Sequence, residues 1–210
     1  MDKVDGRVER GRTTRDELVA AATELFAANG YEHTSIESVL EQTGASRGSL
    51  YHHFASKQAL FEAVVERVEA RVGEALFAAV RATGDPDPVA GLRAAFLAWI
   101  RLAAEPDVRR VLLTDAPAVL GWRRWREIDE QHGLSMIKAA VHRAAEGGRV
   151  PPDLVDFLPQ MLLATVNELA LLIALADDVP TAQASAEAAV IEYLARLLPP
   201  TTRPKRRGQL

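Results

Sequence analysis

The order of caps, stops and apolar residues between positions 34 and 57 leaves few folds open to this chain. Thr34 followed three residues later by Glu37 reads as a capping box, so a helix is expected to begin there. Ile36, Val39 and Leu40 then fall on one helical face. Gly44 stops that helix, because glycine takes the left-handed C-terminal position without steric cost. Ser46 is placed to cap a second helix, in which Leu50 and Phe54 lie four apart and pack inward against Ile36 and Val39. Two short helices joined by a tight turn, the second with a polar outer face, are a helix-turn-helix.

That outer face carries Ser46, Arg47, Gly48, Ser49, Tyr51, His52 and His53. Arg47 can donate two hydrogen bonds to a guanine edge or pair with a phosphate. Gly48 has no side chain, so the first turn can approach DNA closely. Tyr51, His52 and His53 combine aromatic faces with hydrogen-bonding tips. The expected division of labour puts Arg47, Tyr51 and His52 at or near bases, with Thr34, His53 and Lys57 on phosphates. The plain alternative is a helical hairpin with a solvated polar face.

Segments on both sides of this stretch extend the pattern. Leu25-Phe26-Ala27-Ala28-Asn29-Gly30-Tyr31, Thr34-Ser35-Ile36, Gly44 through Phe54, and Ser56-Lys57-Gln58-Ala59-Leu60-Phe61 together resemble the DNA-binding region of the TetR-type transcriptional regulators, from about Thr14 to Val65. Glu41-Gln42-Thr43 departs from the small apolar residues usual there. The resemblance implies an all-α protein: a three-helix DNA-binding domain joined by a long helix to a helical ligand-binding and dimerisation domain. It implies little about the second half, the part that varies most among such regulators.

Charge and composition bound the remaining options. The 210 residues contain no cysteine, which excludes disulfides, zinc-thiolate sites and thiol catalysis. No glycine-rich phosphate loop, nucleophile elbow or metal-spaced His and carboxylate set is present, so no enzyme activity, cofactor or metal is expected. Adjacent His52 and His53 diverge on a helix and make a poor metal pair. The apolar run Leu169–Ala176 is too short to span a bilayer, no export signal is evident, and a cytoplasmic location is expected. Net charge is −4, and residues 1–57 hold seven Lys/Arg against nine Asp/Glu. Distribution matters more than the sum: Arg7, Arg10, Arg12 and Arg15 sit in the expected N-terminal arm, while Glu24, Glu37 and Glu41 can face away from DNA.

The chain divides into an arm over 1–13, a DNA-binding domain over 14–55, a helical domain over 56–200, and a disordered basic tail over 201–210. A capping box at Thr14 and Glu17 marks the first helix, with Leu18, Ala21, Ala22, Leu25 and Phe26 as its stripe. The fourth helix runs from Ser56-Lys57 to about Ala82 with no break after the helix-turn-helix, so it acts as a lever between domains. Arg123, Arg124 and Arg126 with Glu127, Asp129 and Glu130 read as a solvated, self-paired face. Pro159 inside Asp153–Ala176 implies a kink or restart.

The last two helices are apolar on most sides, and the small residues Ala182, Ala184, Ala186, Ala188 and Ala189 allow close helix approach. A homodimer through these helices is expected, bound to a palindromic DNA operator. A cavity for a small hydrophobic effector is expected within 89–178, lined by Phe96, Trp99, Leu113, Trp122, Trp125, Met136 and Met161, with Asn167 as polar anchor and Glu168 structural. The resemblance favours release from DNA on effector binding. The rival reading is a constitutive DNA-binding dimer whose second half only dimerises.

Overall fold

In a computed structural model the described backbone covers residues 2–200, with side chains described for 14–200 apart from position 132. Arg7, Arg10 and Arg12 of the expected arm, and the tail 201–210, therefore lie outside the described side chains or residues. Among the described residues every element is helical. They are α1 (Asp2–His33), α2 (Ile36–Thr43), α3 (Arg47–His53), α4 (Lys57–Ala82), α5 (Pro88–Leu102), a π-helical stretch (Val108–Asp115), α6 (Ala116–Leu120), α7 (Trp122–Glu146), a 3-10 turn (Pro152–Leu154), α8 (Leu158–Ala174) and α9 (Val179–Leu197).

The first helix begins well before the Thr14 cap read from the sequence, since α1 is continuous from Asp2 through Thr14. No proline interrupts residues 2–33, so nothing forces a start at Thr14. Gly30 breaks the helical path with φ 78° and ψ 171°, a conformation reserved for glycine. The α2 cap also shifts by one residue. Ser35, not Thr34, is the N-cap; its hydroxyl accepts from the Ser38 N–H, and the Ser38 hydroxyl receives the Ser35 N–H in return. Gly44 closes α2 in the left-handed region (φ 69°), Ser46 caps α3, and Ser56 caps α4, all as the sequence pattern requires.

Leu18, Ala22 and Phe26 of α1, Val39 of α2, Leu50 of α3 and Leu60 and Phe61 of α4 form one buried cluster. Phe26 meets Phe61 edge-on with centroids 5.0 Å apart, and Tyr31 meets Phe61 in the same manner at 5.0 Å. Helix α4, with Val64, Val68 and Val72 buried, passes from that cluster into the second half, where it packs against α5 and α7. Asp87 caps α5 with Pro88 at its start, and Pro159 sits in the first turn of α8. The proline thus restarts a helix after the 3-10 turn instead of kinking one. Pro117 likewise occupies the first turn of α6. No helix among the described residues is long and apolar enough to cross a membrane.

Candidate nucleic-acid interface and effector cavity

Helix α3 buries Leu50, followed by buried Phe54 at its C-terminus, and leaves Arg47, Gly48, Tyr51 and His52 exposed. Burial of only one side fixes which residues a surface pressed against α3 would meet. Ser46 and Tyr51 are exposed, Ser49 and His53 partly so, and the His52 and His53 rings lie 5.2 Å apart. The Arg47 guanidinium reaches back to pair with Glu37 of α2, both side chains being exposed. Such a pair contributes little stability and exchanges readily for a phosphate or base edge. Lys57, at the start of α4, holds its ammonium 4.2 Å from the centre of the Tyr31 ring. Arg15, assigned to the arm by the sequence pattern, instead stacks its guanidinium over Phe54 at 5.3 Å.

Thr34 does not share that surface. It is 2% exposed, and its hydroxyl donates to the Leu25 and Gly30 carbonyls, carrying the chain across the glycine break. Its hydroxyl faces the protein, and the exposed hydroxyl at the start of α2 is that of Ser35.

The second half contains a cavity of about 40 Å³ between α4, α5, α7 and α8. Its wall includes Val72, Gly73 and Leu76 of α4, Phe96 and Trp99 of α5, Gly133 and Met136 of α7, and Leu163, Val166 and Asn167 of α8. Phe96, Trp99, Met136 and Asn167 were expected there. The other four expected residues are elsewhere. Trp125 is buried, with its indole N–H donating to the Leu112 carbonyl at 3.0 Å. Trp122 is exposed with its ring tilted against Trp125, Leu113 is buried in the π-helical stretch, and Met161 is exposed on the outer side of α8. The sequence shows apolar residues but not which side of α7 and α8 meets the core.

Two carboxyls complete the wall, and sequence reasoning missed both. Glu69 on α4 is 5% exposed and has no hydrogen-bond partner among the described residues. Burial, with the charge of nearby Asp129 adding to it, raises its pKa to about 8. Asp129 on α7 is also buried, not part of the solvated face expected for 123–130. Burial raises it to about 6, opposed by the Asn167 amide, which donates to its Oδ2 at 2.8 Å, and by the Arg126 charge. Glu69 had one legible signal: it lies four residues after Val65 and three before Val72, inside the apolar stripe. Glu168 is exposed.

Comparison with known proteins places both halves. Residues 18–64 match the model described as bacterial regulatory proteins, tetR family, and residues 89–198 match the tetracyclin repressor-like C-terminal domain. The chain belongs to the TetR family. It is a transcriptional regulator of that family and not an enzyme. A TetR-family regulator from Pectobacterium atrosepticum superposes with a TM-score of 0.78 at 30% identity, over 91% of this chain and 97% of that one. The HTH-type transcriptional repressor AcnR of Corynebacterium efficiens is 26% identical over 155 residues, 74% of this chain and 78% of the relative. The regulator FadR of Bacillus subtilis, solved in complex with stearoyl-CoA, shares the TetR fold with a TM-score of 0.67 at 18% identity, over 87% and 97% of the two chains.

Proposed function

We propose that this regulator is a homodimeric repressor that binds a palindromic DNA operator through α3 and leaves it when a small hydrophobic effector enters the cavity. The observation that carries this reading is the continuity of α4. Lys57 at its start stands beside the exposed face of α3, and Glu69, Val72, Gly73 and Leu76 further along wall the cavity. A ligand that favours a different α4 position therefore also favours a different placement of α3.

On this reading Arg47, Tyr51 and His52 reach base edges, while Ser46, Ser49, His53 and Lys57 hold backbone phosphates and Gly48 permits the close approach. Dimerisation follows from the outer surfaces of α8 and α9. Met161, Ala164, Glu168 and Leu172 on α8, continued by Leu175 just past its end, form an exposed stripe, and Ala184, Ala188, Ile191 and Ala195 form another on α9. Both repeat at three and four residues, the spacing of helices that pack in a four-helix bundle. A twofold axis there sets the two α3 helices on successive major grooves, about 34–36 Å apart or somewhat more. The reading places the protein in the cytoplasm with its DNA.

The small cavity favours a second reading. At about 40 Å³ it is far below the roughly 300–1,000 Å³ of typical ligand pockets, as a constitutive dimer with no effector would have it. Titrating the operator complex with hydrophobic compounds while following DNA anisotropy and tryptophan fluorescence separates the two. Release accompanying a tryptophan change supports the effector reading; no response across a broad panel supports the constitutive one.

A further inference from the structure

The cavity wall holds two acidic side chains and, among the described residues, no basic one. Among the described residues Asp129 receives a single hydrogen bond, from Asn167, and Glu69 receives none. Trp99, 6% exposed and on the same wall, has a buried indole N–H with no acceptor. Buried polar groups are ordinarily paired, because each orphan sacrifices its hydration for nothing. The two acceptors, Glu69 and Asp129, face one space whose remaining lining, apart from Asn167, is Val, Leu, Ile, Met, Ala, Gly and aromatic, with the Trp99 N–H left for an acceptor on whatever body fills it.

We propose that the effector is an amphiphilic organic cation, an amine carried on an aromatic or alkyl body, whose ammonium sits between Glu69 and Asp129. This rests on the effector reading above and names the chemical class it would take. An ammonium offers donors and no acceptor, which suits two carboxylates together with the free side-chain carbonyl of Asn167. The apolar body would lie against Phe96 and the Trp99 ring, and an aromatic face beside a cation adds attraction.

The charges around the pair agree. Arg126 is the cation acting on Asp129, Glu130 opposes it, and among the described residues nothing basic acts on Glu69. Arg124, which pairs with Glu62 and Glu66 on the same two helices, is already committed at the surface. Burial pushes both carboxyls toward their neutral forms, and an ammonium placed between them would favour the ionised ones. An anionic head would instead meet two carboxyls. The space must widen to admit the body, and Met136 and Leu76, both only partly buried, are the wall residues freest to move.

The test uses three probes with one tail and different heads: phenylbutylamine, phenylbutanol and phenylbutanoate. Each is titrated calorimetrically into the full-length wild type and into Glu69→Gln and Asp129→Asn, with thermal melts confirming that each variant folds. The expected result is wild-type affinity about tenfold or more higher for the amine than for the alcohol, with the carboxylate weakest. Either variant should lose most of that amine preference while keeping its affinity for the alcohol. Two independent variants keep the test open if one misfolds. Equal binding of alcohol and amine, or an amine preference unchanged in both variants, overturns the inference while leaving the pocket intact. Binding of none of the three overturns the inference, and the broad panel above then decides the pocket reading separately. Selective amine binding that leaves the operator occupied supports the inference and contradicts effector release.

Discussion

The backbone N–H of Tyr31 donates to Oδ2 of Asp115 at 2.7 Å, tying the end of α1 to the end of the π-helical stretch 84 residues later in the sequence. The same carboxylate accepts from the Arg110 guanidinium at 3.3 Å, and that guanidinium lies against Gly30. The π-helical stretch is in turn held by Trp125 of α7 through the Leu112 carbonyl. Helix α7 carries Asp129, so the cavity reaches the DNA-binding domain by two routes: α4 directly, and α7 through Trp125, Leu112 and Asp115.

Removing the second route should loosen the junction without disturbing either core. Asp115→Ala leaves the Tyr31 N–H and Arg110 unpaired and is expected to cost roughly 1–3 kcal/mol of stability. Gly30→Ala is expected to cost about as much: φ 78° with ψ 171° is strained for any L side chain, and a Cβ would strike the Arg110 guanidinium. Urea denaturation measures both. If either variant is as stable as wild type, the junction has been misassigned.

The Glu69 and Asp129 carboxyls titrate higher in the folded chain than in the unfolded one, near 8 and 6 against ordinary values of 4.5 and 3.8. The folded state therefore holds the extra protons, and their contribution to stability is complete below about pH 4 and fades as pH rises through about 8. Glu69→Gln should remove most of the loss between pH 6 and 9. At pH 9 it should melt above wild type by about 2–4 °C for each kcal/mol relieved, with the difference shrinking toward pH 5. Melting temperatures across that range decide it; parallel curves would mean Glu69 is not buried as described.

The exposed apolar residues of α8 and α9 yield a prediction about assembly. Leu175 is 74% exposed and Leu172 58%, so neither supports the monomer's core. Leu172→Glu together with Leu175→Glu should leave the fold intact by circular dichroism and convert the dimer to monomer in sedimentation at micromolar concentration. A variant that still sediments as a dimer would move the interface elsewhere.

Much of the DNA-binding half was legible because it depends on local chemistry: Gly44, Ser46 and Ser56 each act within four residues of themselves, and Leu50 and Phe54 declare their face by spacing alone. Thr34 and Ser35 are both competent caps one residue apart, and only the burial of Thr34 by the α1 break at Gly30 decides between them. The cavity depends on which side of α7 faces α4, a tertiary matter. Asp129 sits in a run of charges that looks solvated, and only the packing of α7 on α4 shows that it points inward while Arg123 points out. Glu69 was hidden for a similar reason: one acid in a valine-rich stripe looks like an interruption until the space beside it is seen.

On the α3 face, Lys57→Ala should weaken binding to all DNA sequences alike and reduce the salt dependence by about one phosphate's worth. Arg47→Ala should cost roughly 1–3 kcal/mol of operator binding and relax sequence preference. Its pair with Glu37 is exposed, so the fold should barely notice the loss. Anisotropy titrations at several salt concentrations distinguish the two; wild-type binding by both variants would remove this face from the interface.

Footprinting the protein on the DNA flanking its own gene shows whether α3 reads a specific, symmetric DNA site. One discrete protected region with twofold symmetry is expected, its halves about one helical turn apart. Tyr51→Ala and Arg47→Ala should each raise the protein concentration needed for that protection. Uniform protection, none at all, or a footprint unchanged in both variants would contradict that role for α3.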